Sequence, residues 1–257
     1  MRKFFTIASL FALTLSACSE EATNGEQRGE GRVTIDCVAT TTVDDTRANV
    51  SCTTPDAEDF TLTIDGVGHT YTKKYATIAE FNEGDNYLKN GNYKATVVAG
   101  DVAEEGYDKA AFMGSAEFAV KSRENTEVEI TAKIANALVK VEVTEAFETY
   151  FVGGYELQLT TAAGNTFDVT GKTEPVFIAP AEFTINGTAV KQPVQSGAQG
   201  STITLPEYKL SAPAAQTFYT IKFDVENAGK ATINITLNET LVDSIEIDTE
   251  LNDNATI

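Results

Sequence analysis

The sequence predicts an all-β protein built from two successive β-sandwich domains. Short runs that alternate apolar and polar residues recur along the chain, separated by Gly, Asn and Asp turn signals, as expected of half-buried strands. Helical periodicity is confined to 75–81 and 145–151, each about two turns long. The length of 257 residues exceeds the roughly 100–200 residues of one usual domain, which favours two domains.

The first 17 residues have the features of a secretory signal peptide. Residues 1–3 (MRK) form a basic start, and the apolar run 4–15 is too short to span a bilayer. Residues 15–18 (LSAC) then resemble the bacterial lipobox, in which the chain is cut before the cysteine and its sulfur receives a lipid. We therefore expect export, cleavage before Cys18 and lipidation of Cys18.

Residues 18–30 are expected to carry the lipid and form a flexible tether, because they are polar and lack periodic apolar residues. Residues 19–21 (SEE) resemble the acidic tag of lipoproteins from Bacteroides-type bacteria. That tag implies an outer-membrane protein facing the cell exterior.

The two sandwich domains are predicted at 31–135 and 136–257, with the seam at 135–137. Residues 187–200 are expected to form a long exposed loop or an irregular edge strand. The alternating runs predict strands at 60–64, 93–99, 115–120 and 126–134 in the first domain, and at 138–143, 155–159, 176–178, 203–205, 218–225, 231–237 and 241–247 in the second.

Two further cysteines, Cys37 and Cys52, lie on the apolar faces of strand-like runs. If Asp44 and Asp45 form a turn, the resulting hairpin sets Cys37 opposite Cys52. In an oxidising compartment this register favours a disulfide over two free buried thiols. A metal site is disfavoured, because neither cysteine belongs to a C-x-x-C pair and His69 is the only histidine.

The charge balance excludes one class of partner. Asp and Glu number 38 against 19 Lys and Arg, which gives a net charge of −19. Such a surface repels phosphate backbones and anionic lipids, so no nucleic-acid binding is expected. Contact with the membrane is instead expected through the lipid anchor.

No catalytic residues, metal or cofactor are predicted. His69 is interpreted as a solvent-facing strand or turn residue, and no nucleophile-elbow motif accompanies it. A glycosidase needs only two carboxylates, but the absence of Trp disfavours a sugar-cleaving cleft. The acidic runs 44–45, 56–59, 104–105 and 248–254 are interpreted as solvated loops in preference to calcium ligands.

Residues 88–93 (LKNGNY), 107–114 and the strands up to 143 resemble the fimbrillin-like lipoproteins of Bacteroides-type bacteria. They resemble more closely a related group of surface lipoproteins catalogued as domains of unknown function. The resemblance implies sandwiches of the immunoglobulin or transthyretin-like type, a lipid anchor, and roles as pilus subunits, pilus anchors or adhesins.

Maturation and modification are also implied by resemblance. In fimbrial subunits of this kind a protease cuts after an Arg and opens a groove for a donor strand, and Arg28, Arg32 and Arg47 are candidates here. A monomeric lipoprotein agrees with the sequence equally well. Residues 243–245 (DSI) resemble an O-glycosylation sequon, which makes Ser244 a candidate modification site.

The sequence thus leads to two functional hypotheses. The first is a noncatalytic surface protein with a structural or adhesive role, whose partners are pilus subunits or a ligand on a host or bacterial surface. The alternative is a glycan-binding lipoprotein of a polysaccharide-uptake system, which would stack sugars on exposed aromatic rings. Its candidate rings are Tyr71, Tyr75, Tyr87 and Tyr107.

Overall fold

Strands dominate the parts of the chain that the computed structural model describes, which are residues 29–41, 50–191, 200–225, 231–237 and 240–247, the last two as backbone. Helix is limited there to α1 (Ile78–Glu83), α2 (Glu145–Tyr150) and a 3-10 turn (Ala57–Asp59). The predicted all-β class is therefore confirmed. None of the helices in these residues is both long and apolar enough to cross a membrane.

The N-terminal sandwich contains seven strands that are hydrogen-bonded in the order β3-β2-β5-β6-β7-β1-β4. β6 and β7 share only two register pairs, so the sheet turns over at this corner and its two parts face each other across one core. The strands are β1 (Glu30–Thr40), β2 (Thr61–Val67), β3 (Thr72–Tyr75), β4 (Tyr87–Lys89), β5 (Gly91–Ala99), β6 (Phe112–Val120) and β7 (Asn125–Ile134).

The C-terminal sandwich packs a four-stranded sheet, β10-β9-β12-β13, against a five-stranded sheet, β11-β8-β14-β15-β16. A second hydrophobic core lies between these sheets. The strands are β8 (Ala137–Val143), β9 (Tyr155–Thr161), β10 (Thr166–Asp168), β11 (Val176–Ile178), β12 (Phe183–Val190), β13 (Thr202–Leu210), β14 (Phe218–Val225), β15 (Ala231–Leu237) and β16 (Thr240–Ile247).

Two tandem sandwiches are thus confirmed, whereas the exact domain limits stay a prediction. β7 ends at Ile134 and β8 begins at Ala137, so the predicted seam falls between strands. The eleven strands predicted from 60 onwards and the strand-like run at Cys37 are present, whereas the strand-like run at Cys52 is not a strand. The strands β3, β4, β10 and β12 were not predicted, and three of these four are only three or four residues long.

The two short helices begin at threonine caps. The Thr77 side chain accepts a hydrogen bond from the backbone N–H of Glu80, and Thr144 accepts one from Phe147. The helix predicted at 145–151 is confirmed. The helix predicted at 75–81 begins three residues later than expected, because Tyr75 is the last residue of β3.

The N-terminal hairpin predicted from the cysteines is wrong. β1 pairs in parallel with β7, and the residue opposite Cys37 is Ile130. Cys52 lies outside any strand, although the backbone N–H of Val50 still bonds the carbonyl of Thr41. Alternation identifies the buried face of a strand but not its neighbour, so it could not reveal a partner about ninety residues away.

The interpretation of 187–200 as a loop or irregular edge is wrong for its first residues. Gly187–Val190 belong to β12, which lies between β9 and β13. A β-bulge between Ile185 and Gly187 interrupts the regular register and obscures the strand pattern. Residues 192–199 and the predicted turn at 238–239 lie outside the described residues.

Hydrogen bonds from a side chain and a loop cover the edge of β1 that faces away from β7. Beyond the short pairing with β4, the Asn82 amide accepts a hydrogen bond from the Ile35 N–H at 3.0 Å and donates one to the Ile35 carbonyl at 2.8 Å. Asn82 therefore supplies the two bonds that a neighbouring strand would make. Exposed strand edges invite unwanted pairing, so this contact protects the edge.

Replacing Asn82 by alanine is expected to lower the free energy of unfolding by about 1–3 kcal/mol, because two backbone groups in a half-buried position lose their partners. Chemical denaturation would measure the loss. The control is Glu83→Ala, at the exposed next position of α1, which should change the unfolding free energy by less than about 0.5 kcal/mol. Equal effects from both substitutions would contradict the role given to Asn82.

Candidate functional site

The only histidine is a packing residue. His69 lies in the turn between β2 and β3, where it is half-buried. The prediction that it faces solvent is therefore wrong. Its ring meets the ring of Tyr93 edge to face at 4.9 Å. Its Nε2 is buried and has no hydrogen-bond partner among the described residues. No carboxylate orients this ring there, so it lacks the arrangement of a general base.

The four tyrosines proposed as sugar platforms do not share one surface. Tyr75 is buried in the N-terminal core, and Tyr71 packs edge to face on Tyr93. Burial raises the pKa of both Tyr71 and Tyr75. Tyr87 is 58% exposed on the edge strand β4, and the Tyr107 hydroxyl donates to the Asp168 carbonyl between the sandwiches. These rings therefore form no common stacking platform.

Cys37 and Cys52 both pack, half-buried, against the N-terminal core. Their sulfurs are not bonded to each other in the structure. Burial raises the pKa of each thiol, which keeps it protonated and poorly nucleophilic at neutral pH. The disulfide stays a prediction, now without the hairpin register that supported it.

The acidic runs within the described residues have structural partners. The Asp59 carboxylate accepts a hydrogen bond from the Asp56 N–H and closes the 3-10 turn, and Glu104 pairs with Lys109 at 3.0 Å on the surface. The described residues contain no group of three or more His, Cys, Asp or Glu side chains that could hold a metal. Residues 44–45 and 248–254 lie outside the described part.

Glu105 connects the two sandwiches. It lies in the loop between β5 and β6, and its carboxylate accepts hydrogen bonds from three groups of the C-terminal sandwich. These donors are the Thr161 hydroxyl, the Asn165 amide at 2.8 Å and the Ala179 N–H at 3.0 Å. The adjacent Gly106 exchanges two backbone hydrogen bonds with Phe177 of β11.

The seam itself adds a second set of contacts. The Asn136 side chain is fully buried, and its amide oxygen accepts a hydrogen bond from the Ala111 N–H at 2.7 Å. The backbone carbonyl of Asn136 accepts one from the Gln216 N–H. Phe177 and Leu138 extend into the N-terminal core. The loop at 100–111 and the seam therefore hold the two sandwiches through directional bonds as well as apolar packing.

The sites proposed for modification or cleavage are dispersed along the chain. Cys18, Arg28 and Arg47 lie outside the described residues. Arg32 lies inside β1, opposite Tyr87 on one side and Asn125 on the other, so cleavage there would cut a paired strand. Ser244 lies in β16 opposite Asn234 of β15.

A polar groove of about 710 Å³ lies on the face of the four-stranded sheet that points away from the C-terminal core. Cross-strand pairing brings three of its residues into one row, Asp168 of β10, Gln158 of β9 and Asn186 of β12. The next row pairs Glu156 with Thr188. We call this surface, lined by these five residues together with Tyr155 and Thr170, the polar groove.

One wall of the polar groove is fixed by hydrogen bonds. The Thr170 hydroxyl accepts from the Leu157 N–H at 2.8 Å, and the Thr170 N–H donates to Asp168 Oδ1 at 3.0 Å. These bonds from Thr170 lower the pKa of Asp168, so its carboxylate is charged at neutral pH. The amides of Gln158 and Asn186 have no side-chain hydrogen bond to any described residue.

Sequence reasoning missed the polar groove. Its residues occupy the polar positions of ordinary alternating strands, which by themselves predict only a solvated face. The strand order β10-β9-β12 that assembles them includes two strands that were not predicted.

Comparison with known proteins gives distant structural similarities. The fimbrial anchor protein Mfa2 from Porphyromonas gingivalis aligns with 84% of this chain and 100% of its own, at a TM-score of 0.40 and 9% identity. A candidate cell adhesion protein from Bacteroides eggerthii aligns with 85% of this chain and 95% of its own, at a TM-score of 0.40 and 10% identity. A candidate polysaccharide-binding protein from Bacteroides thetaiotaomicron aligns with 81% of this chain and 98% of its own, at a TM-score of 0.38 and 8% identity.

No curated protein matches the chain in sequence, and no catalytic family is indicated. A family model described as a domain of unknown function (DUF4493) matches residues 29–253. The match agrees with the resemblance to a lipoprotein group catalogued under that description, and it covers both sandwiches. This chain therefore belongs to the DUF4493 family of domains of unknown function.

Proposed function

We propose that this protein is a noncatalytic surface protein with an adhesive role, attached to the outer membrane by a lipid on Cys18. In this proposal the tether leads directly into β1, and the domains at 31–135 and 136–257 carry an adhesive contact away from the membrane. The observation that carries the proposal is the parallel pairing of β1 with β7 over nine residues.

This pairing suits a protein that is pulled at its N-terminus. A membrane anchor would pull β1 from its beginning, near Glu30, whereas the C-terminal sandwich is joined to the end of β7 at Ile134. Because the strands are parallel, these two points lie at opposite ends of the pair, and the force acts along the strands. All the hydrogen bonds between β1 and β7 then resist the force together instead of breaking in succession.

The contact between the sandwiches supports the same role. Force entering the C-terminal sandwich reaches β7 through a seam braced by Glu105, Gly106 and Asn136. A seam held by directional bonds limits bending between the domains, so an adhesive face on the C-terminal sandwich would be presented at a fixed distance from the N-terminal one.

Single-molecule force measurements test this proposal with two attachment geometries in one sequence. With handles at Gly29 and Ala135, β1 and β7 slide along each other, and we expect a rupture force several-fold higher than with handles at Thr40 and Ala135. In the second geometry, both handles lie at the same end of the strand pair, because Thr40 is opposite Lys133, so the pairs separate one after another. Equal rupture forces would refute the mechanical role assigned to β1.

A further inference from the structure

We propose that the polar groove of the C-terminal sandwich binds an uncharged oligosaccharide through the amides of Gln158 and Asn186. This inference rests on the proposed adhesive function, because it specifies the class of ligand to which the protein adheres.

The first argument is the supply of hydrogen-bonding groups. The row formed by Asp168, Gln158 and Asn186 places a carboxylate and two amides next to one another on three neighbouring strands. A primary amide offers two donors and a carbonyl acceptor, and a carboxylate offers only acceptors. Sugars carry adjacent hydroxyl groups that both donate and accept, so such a row can bond neighbouring hydroxyls at once.

The second argument is availability. The two amides make no side-chain hydrogen bond to a described residue, whereas the nearby Asp168 and Thr170 are bonded to each other and to the backbone. The groove therefore combines a fixed wall with free groups directed to solvent. Its volume of about 710 Å³ lies within the roughly 300–1,000 Å³ of small-molecule sites.

The third argument is charge. The groove contains the carboxylates of Glu156 and Asp168, and neither Lys nor Arg lines it. The whole chain carries a net charge of −19. Phosphate, sulfate and sialic acid would all be repelled by this field, whereas an uncharged polyhydroxylated ligand would not.

The fourth argument concerns shape. The groove is open on a sheet surface, as needed for one stretch of an extended chain of sugars. Tyr155 borders the groove, but its ring packs edge to face on Phe147 of the C-terminal core at 5.5 Å, so the amides and carboxylates, and not a stacked ring, would hold the sugar.

An oligosaccharide array probed with the mature chain, residues 18–257, tests the inference. We expect retention on uncharged oligosaccharides and none on their sialylated or sulfated forms. The Gln158→Ala, Asn186→Ala double variant should weaken binding by about tenfold or more, which corresponds to about 1.4 kcal/mol or more. The matched control is Thr184→Ala, two residues before Asn186 on the same strand but outside the groove, which should bind within about twofold of the unchanged protein.

Adherence of bacterial cells that display the full chain separates failure of this inference from failure of the proposed function. Suppose that cells with the chain adhere better than cells lacking it, and that the double variant adheres and binds glycans like the unchanged protein. This result would overturn only the oligosaccharide site. Adherence without retention on any uncharged glycan would have the same meaning. No difference in adherence between cells with and without the chain would overturn the proposed function itself. Binding abolished by a chelator would assign the groove to a cation and overturn the inference.

Discussion

Replacing Glu105 by alanine is expected to reduce the free energy of unfolding by on the order of 3 kcal/mol and to loosen the contact between the sandwiches. The substitution removes the acceptor shared by the Thr161 hydroxyl, the Asn165 amide and the Ala179 N–H. Thr161 is buried, so its hydroxyl cannot turn freely to water. Hydrogen bonds to an ionised group are stronger than neutral ones, and unmade ones are costly in a partly buried site.

The adjacent residue provides a matched control. Glu104 has the same side chain and lies in the same loop, but it only forms an ion pair with Lys109 in which both side chains are more than half exposed. Exposed pairs contribute about 0–1 kcal/mol, so Glu104→Ala should lie within that range. Denaturant unfolding measures the difference between the two variants, and small-angle X-ray scattering measures the domain arrangement. Similar losses at both positions would contradict the bridging role of Glu105.

Local chemistry explains which parts of the fold could be predicted. The strands at 176–178, 218–225 and 231–237 were predicted with their exact limits, because each is a short apolar or alternating run between turn residues. The short helix at 145–151 was predicted because its apolar residues recur at helical spacing, and Phe147 is indeed buried.

The features that could not be predicted depend on contacts between residues far apart in the sequence. The parallel partner of β1 is determined by how the whole N-terminal sandwich closes, and no signal near Cys37 encodes it. For the same reason no local pattern links Asp168, Gln158 and Asn186, which only the strand order places in one row. Glu105 was interpreted as solvated loop charge, because its three partners lie more than fifty residues further along the chain.

Tyr93→Ala is expected to lower the free energy of unfolding of the N-terminal sandwich by about 3–5 kcal/mol, as found for aromatic residues removed from packed cores. Tyr93 is 1% exposed, and its ring contacts the rings of His69, Tyr71 and Phe118. Alanine would leave a cavity that these three rings border. It would also leave the Lys89 carbonyl without the hydroxyl that donates to it at 2.9 Å.

Two further variants separate packing from hydrogen bonding. Tyr93→Phe keeps the ring and removes only the bond to Lys89, so it should cost about 1 kcal/mol. Tyr87→Ala removes the same type of side chain from the exposed edge strand β4 and should change stability by less than about 0.5 kcal/mol. Thermal and denaturant unfolding should therefore show a much lower stability for Tyr93→Ala than for the other two variants. A loss in Tyr87→Ala as large as that in Tyr93→Ala would contradict this assignment, because Tyr87 is 58% exposed.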